Sequence, residues 1–278
     1  MKKWHLVVDL EKCIGCYNCY VACKDEYVDN DWPKYSLPQK RHDQKWIDPE
    51  HKERGQHPLI DVTYLPRLCM HCENAPCVKN SNGAIYKRED GIVLIDPIKA
   101  QGRSELVKSC PYGMISWNDE YKVPQKCTFC AHLLDEGWKK ARCVQACPLG
   151  ALRMEYMEEN DFNNLIREEK LEVLHPEIQT KPQVYYKNLY RYTKCFIAGS
   201  VAYKKEGIER CAEGCRVCLL KDKEKIIEKV TDNYGDFKFD GLSENSGKYM
   251  LEFYFNGYSK LLKEVKLGKS INIGVINL

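Results

Sequence analysis

Cysteine is the residue type in this sequence whose number and spacing best suit it to chemistry. The chain has 16 cysteines, and twelve of them fall in short, regularly spaced groups between Cys13 and Cys147. In a long chain without a secretory signal, cysteines grouped in this way more often bind metal than form disulfides. The spacing within each group therefore indicates which metal chemistry the chain supports.

Two of the groups have the spacing of bacterial ferredoxins. The first reads Cys13-x2-Cys16-x2-Cys19-x3-Cys23, and the second reads Cys127-x2-Cys130-x12-Cys143-x3-Cys147 and ends in Cys-Pro. Three closely spaced thiolates let the backbone curl around a cubane cluster, and in two-cluster ferredoxins the last cysteine of each motif serves the other cluster. This exchange predicts one [4Fe–4S] cluster on Cys13, Cys16, Cys19 and Cys147. It predicts another on Cys127, Cys130, Cys143 and Cys23.

A third cluster is predicted from the remaining cysteines of this region. Cys69-x2-Cys72-x4-Cys77 supplies three ligands from one loop, and Cys110, followed by a proline, supplies the fourth. A fourth cluster would need four more cysteines, and the sequence has other residues at all of those positions: Ser81, Gln101, Ser104 and Val107. The sequence therefore predicts three clusters.

Zinc is the alternative metal. The group from Cys127 to Cys147, taken alone, could be a four-cysteine zinc site. The short three-cysteine loop of the first motif and the two Cys-Pro endings favour iron and sulfide instead. The late cysteines are predicted to be small buried hydrophobic side chains, because two of them fall at the start of a strand and point to opposite faces. These late cysteines are Cys195, Cys211, Cys215 and Cys218.

Three polar residues beside the cysteines have two interpretations each. His71, within the third motif, can donate a hydrogen bond near a cluster or simply fill space. Lys24 and Lys126 each adjoin a cysteine and can raise the reduction potential of a cluster, or they can be ordinary exposed lysines.

The elements around the motifs follow from the residue patterns. Trp4, Leu6 and Val8 alternate with other residues and predict a strand before Cys13. A further strand and three helices are predicted at Gly91–Asp96, Tyr17–Glu26, Thr128–Glu136 and Asp161–Lys170, the last with an Asn or Asp cap. The proline-rich stretch 29–68 is predicted to be an irregular insertion.

The composition changes near residue 195. Short alternating runs separated by Gly or Asn turns predict a small β-sandwich. The predicted domains are therefore 1–194 and 195–278. The predicted strands are Phe196–Tyr203, Val217–Lys221, Ile226–Val230, Asp236–Phe239, Tyr249–Phe255, Leu261–Leu267 and Ile271–Ile276.

Charge and hydropathy exclude several functional classes. With 43 basic and 40 acidic residues, the formal net charge is +3, which gives no reason to expect nucleic acid or an anionic membrane as a partner. No run of apolar residues is long enough to span a bilayer. The N-terminus has no apolar signal core or twin arginine, so a cytoplasmic protein is predicted.

The motifs resemble the iron–sulfur subunits of the dimethyl-sulfoxide-reductase family of molybdopterin oxidoreductases, and in particular the small subunits of aromatic transhydroxylases. The stretches that carry the resemblance are Asp31–Pro33, Cys69–Cys77, Arg88–Pro97, Cys110–Gly113, Lys126–Thr128, Cys130–Asp135, Tyr185–Arg191 and Gly235–Asp240. The resemblance implies an α+β fold, with a duplicated bacterial-type ferredoxin domain carrying insertions. An all-β, immunoglobulin-like or transthyretin-like sandwich is expected to follow it.

The same resemblance implies an electron-transfer subunit with no catalytic residue of its own. Its partner would be a large catalytic subunit, in a heterodimer or higher assembly, holding molybdopterin guanine dinucleotide and molybdenum or tungsten. The expected reaction is hydroxyl transfer between polyhydroxylated benzenes. The alternatives are another molybdopterin reductase, dehydrogenase or aromatic hydroxylase, for example one acting on a resorcinol, and a zinc-stabilised interaction protein.

Overall fold

Strands make up most of the regular structure in the computed structural model, which describes residues 1–278. The strands are β1 (Lys2–Asp9), β2 (Ile47–Gln56), β3 (Leu59–Leu68), β4 (Ile85–Lys87), β5 (Val93–Ile95), β6 (Ser116–Asn118), β7 (Val123–Gln125), β8 (Leu152–Glu158), β9 (Val184–Lys187), β10 (Cys195–Lys205), β11 (Ile208–Cys211), β12 (Arg216–Lys221), β13 (Glu224–Val230), β14 (Asp236–Leu242), β15 (Gly247–Tyr254), β16 (Leu261–Leu267) and β17 (Ile271–Asn277).

The helices are few and short. They are α1 (Asn18–Tyr27), α2 (Pro76–Lys79), α3 (Ala131–Asp135), α4 (Arg142–Gln145), α5 (Glu159–Glu169) and α6 (Tyr190–Thr193). Two 3-10 segments lie at Ser104–Ser109 and Pro176–Ile178. The helix predicted around residue 131 is shorter than expected. The predicted Asn or Asp cap of α5 is wrong, because the helix already begins at Glu159 and Glu158 makes no side-chain cap bond.

The chain divides into two compact units. The first unit comprises Met1–His51 and Tyr64–Leu189, and the second comprises Lys52–Thr63 and Tyr190–Leu278.

The first unit is built on the strand that precedes the first cysteine motif. β1 lies at the centre of a three-stranded sheet, antiparallel to β8 and parallel to β9. His5 and Val7 are buried like Leu6 and Val8, so β1 is covered on both faces. α5 contributes Phe162, whose ring stacks on His5 at a centroid distance of 3.6 Å.

Two small hairpins, β4–β5 and β6–β7, complete the regular structure of the first unit, and loops and short helices fill the remainder. The predicted strand Gly91–Asp96 shortens to β5, and turns lie nearby at 89–90 and 97–100. This loop-rich construction leaves the cysteine motifs on short connections between small anchored elements.

Only the second half of the stretch predicted to be irregular, 47–68, forms a hairpin; 29–46 contains no helix or strand. β2 and β3 are ten residues long each and pair only with one another. Pro49 and Pro66 lie within these strands. Both strands of an isolated two-stranded ribbon are edge strands, and an edge strand tolerates a residue that has no N–H group. Proline content therefore misled the sequence interpretation at this point.

The second unit contains two four-stranded sheets that share one hydrophobic core. β10 pairs with β11, β14 and β17 in one sheet, and the other has the order β13-β12-β15-β16. All seven strands predicted after residue 195 are present, and β11 is an additional edge strand. The core side chains include Ile197, Val201, Val217, Leu219, Phe237, Phe239, Leu251, Phe253 and Val265.

Candidate metal centres

Four cysteines from two separate segments meet at one end of α1 and form the first thiol group. They are Cys13, Cys16, Cys19 and Cys147, and all four line one cavity. Burial raises the pKa of Cys19 to about 12, and the charges of the Cys13, Cys16 and Cys147 thiols act in the same direction. Burial also raises the pKa of the Cys13 thiol, and the charges of Cys147 and Cys16 add to this rise.

The loop of the first thiol group depends on left-handed backbone conformations. Gly15 has a φ of +68°, and Tyr17, just before α1, has a φ of 61°. A Cβ atom at Gly15 would lie 2.5 Å from the ring of Tyr64, so only glycine fits. This tight turn brings Cys13 and Cys16 to the same cavity.

The second thiol group is the most deeply buried. Cys23, Cys127, Cys130 and Cys143 line a cavity whose other walls are apolar or aromatic, among them Leu6, Tyr27, Ile47, Leu68 and Phe129. Burial raises the pKa of Cys143 well above its ordinary value, and the Cys130, Cys127 and Cys23 thiols add to the rise.

Hydrogen-bond donors face the sulfur atoms of this second group. The backbone N–H of Phe129 donates to Cys127 Sγ at 3.4 Å. The Tyr27 hydroxyl lies 2.6 Å from Thr128 Oγ1, and its hydrogen bond to the Cys130 thiol opposes the rise in pKa that burial causes there. Donors of this kind stabilise a thiolate and raise the reduction potential of a cluster that it binds.

The third thiol group consists of Cys69, Cys72, Cys77 and Cys110. Burial raises the pKa of Cys72 to about 12, a hydrogen bond from Thr180 opposes the rise, and the Cys69, Cys110 and Cys77 thiols reinforce it. The backbone N–H of Met114 donates to Cys110 Sγ at 3.5 Å. The distant Cys110 thus lies beside the three cysteines of the loop.

The three thiol groups are arranged in sequence. The first adjoins the second, because Cys19 and Cys23 lie about one turn apart on α1. The second adjoins the third, because the ring of His71, between Cys69 and Cys72, packs on Phe129, which lines the second cavity. The middle position therefore belongs to the second group.

The chemistry of these donor sets fits cubane clusters. Each group offers four thiols, one for each iron of a [4Fe–4S] core, in a largely apolar setting. No group of three or more His, Cys, Asp or Glu side chains in the structure is arranged to hold a single metal ion. A buried polar atom, Nε2 of His71, also has no partner within the protein.

The four positions where a fourth cluster would need cysteine differ in burial: Ser81 is buried, Val107 is half-buried, and Gln101 and Ser104 are exposed. Ser81 is fully buried, and its hydroxyl donates to the Val78 carbonyl at 2.9 Å. Arg103 donates to the Ser81 carbonyl, and Leu106 fills the core nearby in the 3-10 segment. The Ser81 position therefore has the contacts of a protein interior.

The late cysteines do not form a further thiol group in the structure. Cys195, Cys215 and Cys218 are buried, as predicted, and the first two belong to the core of the second unit. The prediction is wrong for Cys211, which is exposed at the end of edge strand β11.

Two side chains at the thiol groups were not identified from the sequence. Tyr27 touches the second group and Thr180 the third. Thr180 also bonds the Tyr112 hydroxyl at 2.7 Å. Thr180 lies far along the chain from the cysteines that it touches, so motif spacing carries no signal for it.

Neither α1 nor any other helix of the structure is both long enough and apolar enough to cross a membrane.

Family comparisons agree with the chemistry of the thiol groups. A 4Fe-4S dicluster domain matches residues 60–157, and a 4Fe-4S binding domain matches residues 4–25. Together these two matches include all twelve cysteines of the three thiol groups.

Relatives match over most or all of the chain. The pyrogallol hydroxytransferase small subunit of Pelobacter acidigallici is 43% identical over an alignment of 283 positions, which covers 100% of both chains. A sulfite dehydrogenase subunit of Allochromatium vinosum is 34% identical, covering 67% of this chain and 83% of that protein. A tetrathionate reductase subunit of Salmonella typhimurium is 32% identical, covering 67% of this chain and 73% of that protein. The chain therefore belongs to the iron–sulfur electron-transfer subunits of the dimethyl-sulfoxide-reductase family of molybdopterin oxidoreductases.

Proposed function

We propose that this subunit carries three [4Fe–4S] clusters on twelve cysteines and relays single electrons for a molybdenum-containing catalytic partner. The ligand sets are the three thiol groups defined above. Bound there, each cluster would accept and release one electron. The chain supplies the thiolates, the hydrogen-bond donors around them and an apolar wall, and it contributes no acid, base or nucleophile.

The observation that carries this proposal is the linear order of the three thiol groups. The first and third groups both adjoin the second, through Cys19 and Cys23 on α1 and through the contact of His71 with Phe129 respectively. Such an order suits a short relay with one entry and one exit.

An exposed apolar surface beside the first thiol group supports a partner at that end. Ile14, Tyr17 and Leu149 border the cavity and are 60%, 40% and 50% exposed, respectively. Large apolar side chains grouped at a functional site are typical of protein interfaces. We propose that this surface contacts the large molybdopterin subunit in a heterodimer or higher assembly, and that the complex is cytoplasmic.

The proposed reaction of the complex is hydroxyl transfer between pyrogallol and phloroglucinol, or between similar polyhydroxylated benzenes. The full-length similarity to the small subunit of pyrogallol hydroxytransferase supports it. The absence of cysteine at Ser81, Gln101, Ser104 and Val107 also suits a relay that ends before a membrane anchor. The second candidate is a reductase, a dehydrogenase or a resorcinol-type hydroxylase, and the similarity to tetrathionate reductase and sulfite dehydrogenase subunits favours it.

For the architecture, we propose a duplicated bacterial-type ferredoxin domain over 1–194. An immunoglobulin-like or transthyretin-like sandwich over 195–278 would follow it. The mutual exchange of Cys23 and Cys147 between the first two thiol groups supports the duplication, because two-cluster ferredoxins exchange ligands in this way.

The test is anaerobic purification with the neighbouring catalytic subunit, followed by assay with tri- and dihydroxybenzenes. The proposal expects about twelve iron atoms and about twelve acid-labile sulfides per chain. Protein that contains zinc and no sulfide would support the interaction-protein alternative instead. Co-purification with a membrane protein, and no activity on hydroxybenzenes, would favour the respiratory alternative.

A further inference from the structure

Two polar side chains are buried between the second and third thiol groups. Lys126 is only 3% exposed and His71 is fully buried. The interpretation of Lys126 as an ordinary surface lysine is therefore wrong. A buried ammonium is costly unless it is paired or meets negative charge, so this lysine requires a reason to be where it is.

The backbone of Val93 holds both side chains in place. The Val93 N–H donates to His71 Nδ1 at 3.0 Å. The Lys126 ammonium donates to the Val93 carbonyl and, at 3.0 Å, to the Cys127 carbonyl. Both polar groups of one residue in strand β5 thus fix the positions of the two side chains.

Neither side chain has a negatively charged hydrogen-bond partner in the protein. The partners of the Lys126 ammonium are carbonyl oxygens, which carry no net charge. Because Nδ1 of His71 accepts an N–H, the neutral ring carries its proton on Nε2, and that N–H has no partner. Both groups therefore lack the negative charge or acceptor that their burial requires.

Lys126 lies beside both neighbouring thiol groups. It precedes Cys127 of the second group and donates to the Cys127 carbonyl at 3.0 Å. Its ammonium also donates to the carbonyl of Val93, whose N–H donates to His71 in the loop of the third group. His71 also lies beside both groups. It stands between Cys69 and Cys72 in the chain, and its ring centroid is 3.7 Å from that of Phe129, which lines the second cavity.

We propose that Lys126 and His71 form a polar bridge that raises the reduction potentials of the second and third clusters relative to the first. This inference rests on the proposed function, because it needs clusters in the second and third thiol groups. Reduction adds negative charge to a cluster core, and a fixed positive charge or an N–H donor beside the core favours the reduced form. The bridge would thus drive electrons toward the second and third positions.

The experiment is a stepwise potentiometric titration of the anaerobic holoprotein, followed by electron paramagnetic resonance. In Lys126→Met, the ratio of reduced to oxidised cluster at a fixed potential should fall on the order of tenfold, or 59 mV for a one-electron couple, at the second and third clusters. The first cluster should titrate as in wild type. Lys126→Arg keeps the charge. At the same fixed potential, its ratio of reduced to oxidised cluster should therefore stay within about threefold of the wild-type ratio.

Two further variants separate electrostatics from structure. Lys126→Gln keeps a donor for the Val93 carbonyl without the charge, and it replaces Lys126→Met as the test if that variant loses iron. His71→Phe keeps a ring against Phe129 and removes the unpaired N–H, so it should lower at least one of the same two potentials. Lys140→Met removes an exposed lysine and is the matched control, with no change expected.

The possible outcomes separate the two proposals. Full iron content with unchanged potentials in Lys126→Gln and His71→Phe would overturn the bridge, even if thermal stability fell. Equal shifts of all three clusters would also overturn it, because the effect would not be local. Wild-type protein without iron and sulfide would instead refute the proposed function itself.

Discussion

Cys19 and Cys23 lie four residues apart on α1, yet their thiols belong to different thiol groups. The Cys19 thiol adjoins Cys13, Cys16 and Cys147, and the Cys23 thiol adjoins Cys127 and Cys130. Residues at this spacing are about one helical turn apart, near 5.4 Å along the axis. One turn of helix thus fixes the separation between the first and second groups.

Separate alanine substitutions at these two positions should damage different clusters. Cys19→Ala should remove or degrade the first cluster, and Cys23→Ala should do the same to the second, because each cluster would lose one of four ligands. Electron paramagnetic resonance of the reduced protein, with iron analysis, distinguishes the two results. Loss of the same spectral component in both variants would contradict the exchange of ligands between the motifs.

The distant ligand of the third group offers an independent test. Cys110→Ala should remove the third cluster and lower the iron content from about twelve to about eight atoms per chain, with the other two spectra retained. Cys211→Ala is the matched control, because this thiol is exposed and lies outside the three groups. Unchanged spectra in Cys110→Ala would mean that the grouping of ligands is wrong.

The turn at Gly15 should be essential for the first cluster alone. Gly15→Ala puts a Cβ atom 2.5 Å from the Tyr64 ring and strains a backbone with a φ of +68°. We expect selective loss of the first cluster signal.

Gly113→Ala separates the clash from the strain. Gly113 has a φ of +67°, and no atom lies within 4 Å of the position that a Cβ would take, so the substitution should cost only about 1 kcal/mol of backbone strain. Equal damage in both variants would mean that strain alone accounts for the effect and that the contact with Tyr64 is unimportant.

Short-range patterns predicted the parts of the site that lie within one loop. The spacing from Cys13 to Cys23 predicted both a tight loop that brings the cysteines together and the helix after it, and α1 begins one residue later than expected. Cys147 lies in the same cavity as the cysteines of the first loop. Its sequence spacing predicted this position, because two-cluster ferredoxins exchange the last cysteine of each motif.

Features that depend on long-range packing were not predictable in the same way. Lys126 is buried because it bonds the backbone of Val93, which lies in another hairpin. Cys211 is exposed because β11 is an edge strand, and no local pattern separates an edge strand from a central one. The β2–β3 hairpin was missed because its prolines favoured an irregular chain.

The second unit contains an ion-pair network that should make its stability depend on acid. Burial alone would raise the pKa of Asp61, but hydrogen bonds from Arg54 and Arg191 and the charge of Lys238 lower it well below the ordinary value of 3.8. The Arg54 side chain is 2% exposed and also pairs with Asp240 at 2.9 Å. Loss of the Asp61 charge therefore leaves buried positive charge only partly compensated.

Asp61→Asn should lower the free energy of unfolding of the second unit by about 3 kcal/mol at neutral pH, since breaking a buried pair costs roughly 3–5 kcal/mol and Asp240 remains. A lowered carboxyl pKa contributes stability that is fully present above the unfolded value of 3.8 and is lost as the pH falls through the folded value. The difference between wild type and variant should therefore shrink below about pH 4.

Hydrogen exchange of peptides from β10 in increasing urea measures the free energy of unfolding of the second unit. Fluorescence would not report on that unit, because all five tryptophans lie in the first unit (Trp4, Trp32, Trp46, Trp117 and Trp138). Asp222→Asn is the matched control, because Asp222 lies exposed in a turn with a φ of 51° that asparagine also tolerates. It should change stability by less than about 0.5 kcal/mol. If Asp61→Asn were equally harmless at neutral pH, or if its effect grew on acidification, the network around Arg54 would not stabilise the second unit.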